Sequence, residues 1–229
     1  MGSDWVPFDP WRYGTREIFW LSDQTEGTAN GVTLEDTQAA IDRAMATWNT
    51  VTCANIPLVK WQDLGIDWGY VQWLWGFGGV PGWYADITHA GWLPGSFFDI
   101  LDPGPPAGST YIIGVTFTAV WLDSPGGEPT DIDNNRKEDV AFREIYYNNA
   151  FPWGIDTDWP IDVETVVLHE TGHGLSLDHF GKFLKTDKNG KFHFAPRAVM
   201  NAGYTGVQQY LTGTDLAGHC SIWAAWPYN

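Results

Sequence analysis

Basic residues are scarce in this chain. Twelve lysines and arginines stand against 28 acids among 229 residues, which leaves a formal charge of −16. A surface of that sign repels phosphates, so nucleic acid and anionic membranes are poor partners. Sulfur is scarce too: there are 2 cysteines and 3 methionines. Cys53 and Cys220 are too far apart in sequence to form a metal-binding pair. They are left as one disulfide in an oxidising compartment or as two buried thiols, and the disulfide is expected if the protein is secreted. Long apolar runs are missing. The most apolar stretch, VQWLWGFGGVPGWY (71–84), is too short to cross a bilayer and is broken by glycines and a proline. Residues 1–20 lack the basic start and apolar run of a signal peptide. No repeat, low-complexity tract or linker divides the chain, so a single domain over residues 1–229 is expected.

What is present is apolar and aromatic. Hydrophobic residues make up 44% of the chain, with 15 tryptophans and only 17% charged residues, which supplies a core and argues against disorder. Residues 16–21 (REIFWL) read as a first strand. Thr33 to Asp36 resembles a capping box, and Ile41, Ala44, Met45 and Trp48 then recur at helical spacing, so 34–50 reads as an amphipathic helix. IPLVKW (56–61), YVQWLW (70–75), YADITHAG (84–91) and IIGVTFTAVWL (112–122) read as strands, and 123–139 as a polar loop. Asp162 can cap a second helix over 163–175. Lys188 to Lys191 reads as a hairpin turn, and Thr212 as the cap of a short last helix. This order of elements predicts an α+β fold with a mixed sheet.

The chemistry concentrates in VVLHETGHGLSLDHF (166–180). On a helix, His169 and His173 lie four residues apart on one face and can bind one ion. Glu170 is displaced by about 100° from that face, which suits a general base beside a metal rather than a ligand on it. His179 reaches the same ion only if the helix ends and the chain reverses between 174 and 178. Three imidazoles leave one position of a tetrahedral zinc open, which is the catalytic pattern.

HETGHGLSLDH is similar to the HExxHxxGxxH signature of the metzincin metalloendopeptidases, and TVVLHETGHGLSLDH looks most like their matrixin branch. TQAAIDRAMATWNTV (37–51), Ala85-Asp86-Ile87, Ala198-Val199-Met200 followed by Asn201 to Tyr204, and Asp215-Leu216-Ala217-Gly218 extend the likeness over roughly residues 16–220. The resemblance implies a metzincin-like domain: a twisted, mixed five-stranded sheet with two long helices (upper subdomain, about 1–179), and a small lower subdomain (about 180–229) with a terminal helix. It implies a secreted zinc endopeptidase, with His169, His173 and His179 holding one zinc and Glu170 as general base toward zinc-activated water. Met200 would support the site without ligating the metal, and Tyr204 would help wall the substrate pocket. The implied partner is a protein or peptide substrate, with no nucleic acid or membrane, and the protein is expected to be a monomer.

The chain departs from the family pattern at four points. Ser176 stands where the family has glycine, so it must take a left-handed turn that costs a serine about 1–2 kcal/mol. Phe180 follows the third histidine where vertebrate members have serine. Thr214 replaces the first of two paired aspartates, and Asp86 and His89 are too few for the family's structural zinc.

Weaker signals remain open. Asp131, Asp133, Asn135 and Asp139 are spaced like ligands of a calcium loop, but Arg136 stands where the loop needs glycine, so a solvated acidic loop is the competing reading. The tryptophans at 61, 68, 73, 75, 83 and 92 fit a binding groove less well than core packing. His89, His193 and His219 read as surface or hydrogen-bonded residues. The alternative to an enzyme is a catalytically silent, zinc-stabilised module that binds protein or glycan; Glu170 argues against it, because such a module needs no base.

Overall fold

The structure is a computed structural model that describes residues 2–23, 25 and 27–228. In chain order its elements are β1 (Ser3–Asp4), β2 (Ile18–Ser22), α1 (Leu34–Asn49), β3 (Leu58–Lys60), α2 (Tyr70–Trp75), β4 (Ile87–Leu93), α3 (Gly95–Leu101) and β5 (Gly114–Val120). They continue with β6 (Glu138–Asn148), β7 (Trp153–Gly154), β8 (Ile161–Asp162), α4 (Val163–Gly174), β9 (Lys182–Lys185), β10 (Phe192–Ala195) and α5 (Gly213–Trp223). The main sheet runs β3-β2-β4-β6, all parallel. β5 pairs antiparallel with β6, and β1 pairs with the first residues of β6. The molecule is therefore a mixed α/β structure with a mostly parallel sheet, and β1 raises the expected five strands to six.

Alternation along the strands sorts side chains to the two faces of the sheet. Ile18, Trp20, Ile145 and Tyr147 join the main core with Ile41, Met45 and Trp48 of α1 and Val166, Val167 and Leu168 of α4. Phe19 and Leu21 turn to the other face against Trp61, Trp68 and Tyr84, and Tyr146 turns there toward Phe97 and Phe98 of α3. Trp48 and Met45 place α1 directly against α4. The indole nitrogen of Trp48 donates to the Leu168 carbonyl (2.9 Å), and Arg43 pairs with Glu164 at 2.5 Å.

The helix caps read from the sequence are present. Thr33 accepts from the Asp36 amide, Asp162 from the Thr165 amide, and Thr212 with Asp215 forms a capping box. Cys53 and Cys220 are bonded, with Cα atoms 5.7 Å apart, and tie the end of α1 to α5. Closing a loop of 167 residues stabilises the fold by about 2–5 kcal/mol.

The structure departs from the sequence reading in places. Tyr70–Trp75 is a helix, not a strand. The buried carboxylate of Glu144 accepts from the Tyr70 and Val71 amides (2.6 and 2.9 Å) and so satisfies the helix start, while Gly76 at φ 79° ends it. The central strand β6 was not anticipated. It is buried along nearly its whole length yet carries Arg143 and Glu144, which hide its apolar pattern. Asp86 and His89 are both structural. Asp86 pairs with buried Arg12 at 2.5 Å, and His89 bonds the Tyr147 hydroxyl at 2.8 Å.

His219, read as hydrogen-bonded or exposed, is neither. It is fully buried on α5, 5.4 Å from the Trp48 ring, and neither ring nitrogen has a hydrogen-bond partner among the described residues. Burial lowers its pKa from 6.5 to about 4. The folded state thus favours the neutral ring, and its contribution is complete above pH 6.5 and lost as the pH falls toward 4. Between those limits the loss reaches about 3 kcal/mol. His219→Leu should therefore lose less stability than the parent when denaturant melts at pH 7 and pH 4.5 are compared; parallel losses would show that His219 does not titrate this way.

Candidate metal centre

α4 is buried on almost every side, and its remaining face carries His169 and His173 toward a cleft. The helix is started by Asp162, whose carboxylate accepts from the Thr165 amide (2.8 Å) and hydroxyl (2.7 Å). It ends in the reversal that the third histidine requires. Ser176 has φ 70°, as expected from the sequence. The Ser176 amide donates to the His173 carbonyl (3.0 Å) and the Leu177 amide to the Gly172 carbonyl (2.9 Å), the paired bonds of a Schellman turn. The chain then returns, and His179 Nε2 lies 3.2 Å from His173 Nε2 and 3.3 Å from His169 Nε2.

Backbone carbonyls set the tautomers. His169 Nδ1 is 2.7 Å from the Val199 carbonyl, and His173 Nδ1 is 2.7 Å from the Leu177 carbonyl. A carbonyl only accepts, so both Nδ1 atoms carry the proton and both Nε2 atoms keep a free lone pair. Burial lowers the pKa of all three imidazoles, that of His169 to about 4, and so favours neutral rings. The free lone pairs of His169 and His173 both point at His179 Nε2, over 3.3 and 3.2 Å, so one cation between the three rings can take a lone pair from each. Two ligand nitrogens of a tetrahedral zinc sit about 3.3 Å apart, given bonds of about 2.0–2.1 Å, so the donor set fits such an ion. Among the described residues this is the one cluster of three or more histidine, cysteine or acidic donors close enough to share a metal.

Glu170 lies beside the cluster. Its carboxylate accepts from the Thr116 hydroxyl of β5 (2.8 Å), and burial raises its pKa. Gly114 of β5 leaves the room it needs, because a Cβ there would stand 2.9 Å from the Glu170 carboxylate. A cavity of about 570 Å³ opens next to His169 and Glu170, walled by Ile112, Phe151, Val166 and Tyr204 among others. The Tyr204 hydroxyl donates to the Thr157 carbonyl (3.2 Å) and accepts from the Asp162 amide (3.0 Å), which ties that wall to the start of α4.

Three supports lie behind the histidines: Met200, which the resemblance implies, and Asp215 and Arg143, whose roles the sequence does not show. Met200 is buried against Gly172, where any Cβ would collide with its sulfur. Asp215 accepts from the Val199 and Met200 amides (3.0 and 3.1 Å) and thereby holds the carbonyl that orients His169. Arg143 escaped notice in the sequence because it sits in the unrecognised strand. It is 1% exposed and donates to the carbonyls of His173 (3.0 Å) and Gly174 (2.6 Å) and to the hydroxyls of Ser176 (2.9 Å) and Ser3 (2.7 Å). Its charge meets the negative end of the α4 dipole. Burial lowers its pKa to about 9, an effect that Asp4 opposes.

The loop that carries the four candidate calcium ligands is held by hydrogen bonds of its own. Asp131 spends both oxygens on the Asn135 and Arg136 amides, Asn135 accepts from the Lys137 amide, and Asp139 accepts from the Ile132 amide. Asp133 accepts from the Asn135 side-chain amide (3.1 Å), while its other oxygen and one oxygen of Asp139 are buried with no hydrogen-bond partner among the described residues. The loop is folded by its own backbone donors, with Asn134 and Arg136 at positive φ where a calcium loop would use glycine.

No protein-family model matches the chain, and a search of curated proteins finds no match either.

Ser176 carries two opposed effects. Its left-handed φ costs about 1–2 kcal/mol, and its bond from a charged donor returns a similar amount. Ser176→Gly removes both and should leave stability nearly unchanged, whereas Ser176→Ala keeps the strain, loses the bond and should cost about 1–2 kcal/mol. Urea melts decide this: an alanine variant as stable as the glycine variant would show that one of the two effects is missing.

Proposed function

We propose that this protein is a secreted zinc endopeptidase of metzincin type. The observation that carries the reading is the convergence of three imidazoles, two of them tautomer-fixed by backbone carbonyls, beside a buried glutamate at the mouth of an apolar cavity. His169, His173 and His179 hold the ion. A zinc ion there supplies Lewis acidity, polarising a carbonyl and making a water acidic near neutral pH. Glu170 takes the proton of the attacking water and passes it to the leaving nitrogen, and the Thr116 hydroxyl keeps its carboxylate aimed during both transfers.

A peptide substrate follows from the surroundings. β5 borders the site through Gly114 and Thr116, and among the described strands it pairs only with β6. Its other edge can accept an extended chain as an added strand, which gives backbone affinity without a sequence requirement. The cavity beside His169 then takes one apolar side chain. The disulfide fits an oxidising compartment, and no helix among the described residues is long and apolar enough to cross a membrane.

Glu170→Ala should bind zinc as the parent does and lose peptide hydrolysis by about 10²-fold or more. The measurement is mass-spectrometric digestion of a peptide library by parent and variant, with zinc content determined on both. Equal turnover would remove Glu170 from the reaction, and no cleavage by the zinc-loaded parent would refute the endopeptidase reading.

A further inference from the structure

Between His179 and Met200 the chain makes an excursion that the metal centre does not use. β9 and β10 form an antiparallel hairpin in which Lys185 faces Phe192 and Phe183 faces Phe194. The hairpin stands in solvent, with Phe183 59% and Phe192 61% exposed. The three phenylalanines nonetheless keep a fixed row, since Phe183 stacks on Phe192 at 5.1 Å and contacts Phe194 at 5.0 Å. The Lys185 ammonium lies 5.4 Å over the Phe192 ring.

Charge sets this segment apart. Residues 180–197 hold five of the chain's 12 lysines and arginines (Lys182, Lys185, Lys188, Lys191 and Arg197) and one of its 28 acids, Asp187. None of the four lysines pairs with a carboxylate among the described residues. A basic, apolar projection on a body of opposite sign is a surface without an internal partner.

The hairpin is also built into the site. Asn201 donates to the Phe180 carbonyl (2.7 Å) and the Pro196 carbonyl (3.2 Å), fastening both ends, and the Phe180 amide donates to the Met200 carbonyl (2.7 Å). The Phe194 ring lies 3.4 Å from where a Gly203 Cβ would be, and Gly203 lines the cavity next to His169. The phenylalanine row thus runs from solvent to the rim of the cleft.

We propose that this hairpin is a docking surface for an acidic, aromatic-containing stretch of the polypeptide substrate, outside the segment being cut. The proposal rests on the endopeptidase reading. Carboxylates of such a stretch meet the lysines, and its apolar side chains cover Phe183 and Phe192. A uniformly charged polyanion fits less well, because it must also lie against the acidic body of the protein.

The test uses zinc-loaded Glu170→Ala protein and a fluorescein-labelled peptide rich in Glu and Phe, followed by anisotropy. Binding should weaken as salt rises. It should weaken about tenfold or more when Lys185, Lys188 and Lys191 are all changed to Glu, when Phe183 and Phe192 are both changed to Ser, or when the peptide's Glu residues become Gln. With active enzyme, attaching the acidic stretch to a cleavable peptide should raise kcat/KM about tenfold, and the three lysine changes should bring the ratio of extended to short peptide to about one. Equal affinity of parent and both hairpin variants overturns the proposal, as does tighter capture of an acidic polysaccharide than of the peptide. Hairpin-dependent binding without any turnover retains the docking surface and refutes the endopeptidase reading instead.

Discussion

The site depends on one reversal of the chain, at the end of α4. Imidazoles four residues apart are placed by any helix, but the third one needs the backbone to turn within a few residues. The Schellman turn does this through positive φ at Ser176. The same turn delivers the Leu177 carbonyl to His173 Nδ1, so ending the helix and orienting an imidazole are one event. The strain at Ser176 is tolerated because Arg143 binds its hydroxyl and the His173 and Gly174 carbonyls at the helix end.

Around that turn, two of the imidazoles are held by different parts of the fold. His173 depends on the turn itself, and His169 on the Val199 carbonyl, which Asp215 of α5 holds in place. Arg143 links the turn to the central strand and, through Ser3, to β1. α5 is anchored in its turn by the disulfide and by Trp223, whose indole donates to the Leu175 carbonyl. Residues far apart in the chain therefore converge on the ring orientations, which is how a site becomes preorganised.

Much of this could be read from the sequence, where the signal is local. The spacing of His169, His173 and His179 requires a reversal between 174 and 178, and the resemblance, whose glycine Ser176 replaces, places the left-handed residue there. Thr33, Asp162 and Thr212 announce their helices. The failures are non-local. YVQWLW has strand composition, and only Glu144, 74 residues away from Tyr70, satisfies the amides that make it a helix. Strand β6 was hidden by Arg143 and Glu144, charges that make sense only once their buried partners are known. His219 carried no signal, since a buried histidine without partners looks the same in sequence as an exposed one.

The central claim is that the folded chain presents three neutral imidazoles, and no carboxylate, to one divalent ion. X-ray absorption on protein stripped with a chelator and reloaded with one equivalent of zinc tests it most directly. The account predicts three imidazole nitrogens at about 2.0–2.1 Å and one further light ligand from solvent. Fewer than three imidazoles in the zinc shell, or a protein carboxylate among the ligands, would contradict it.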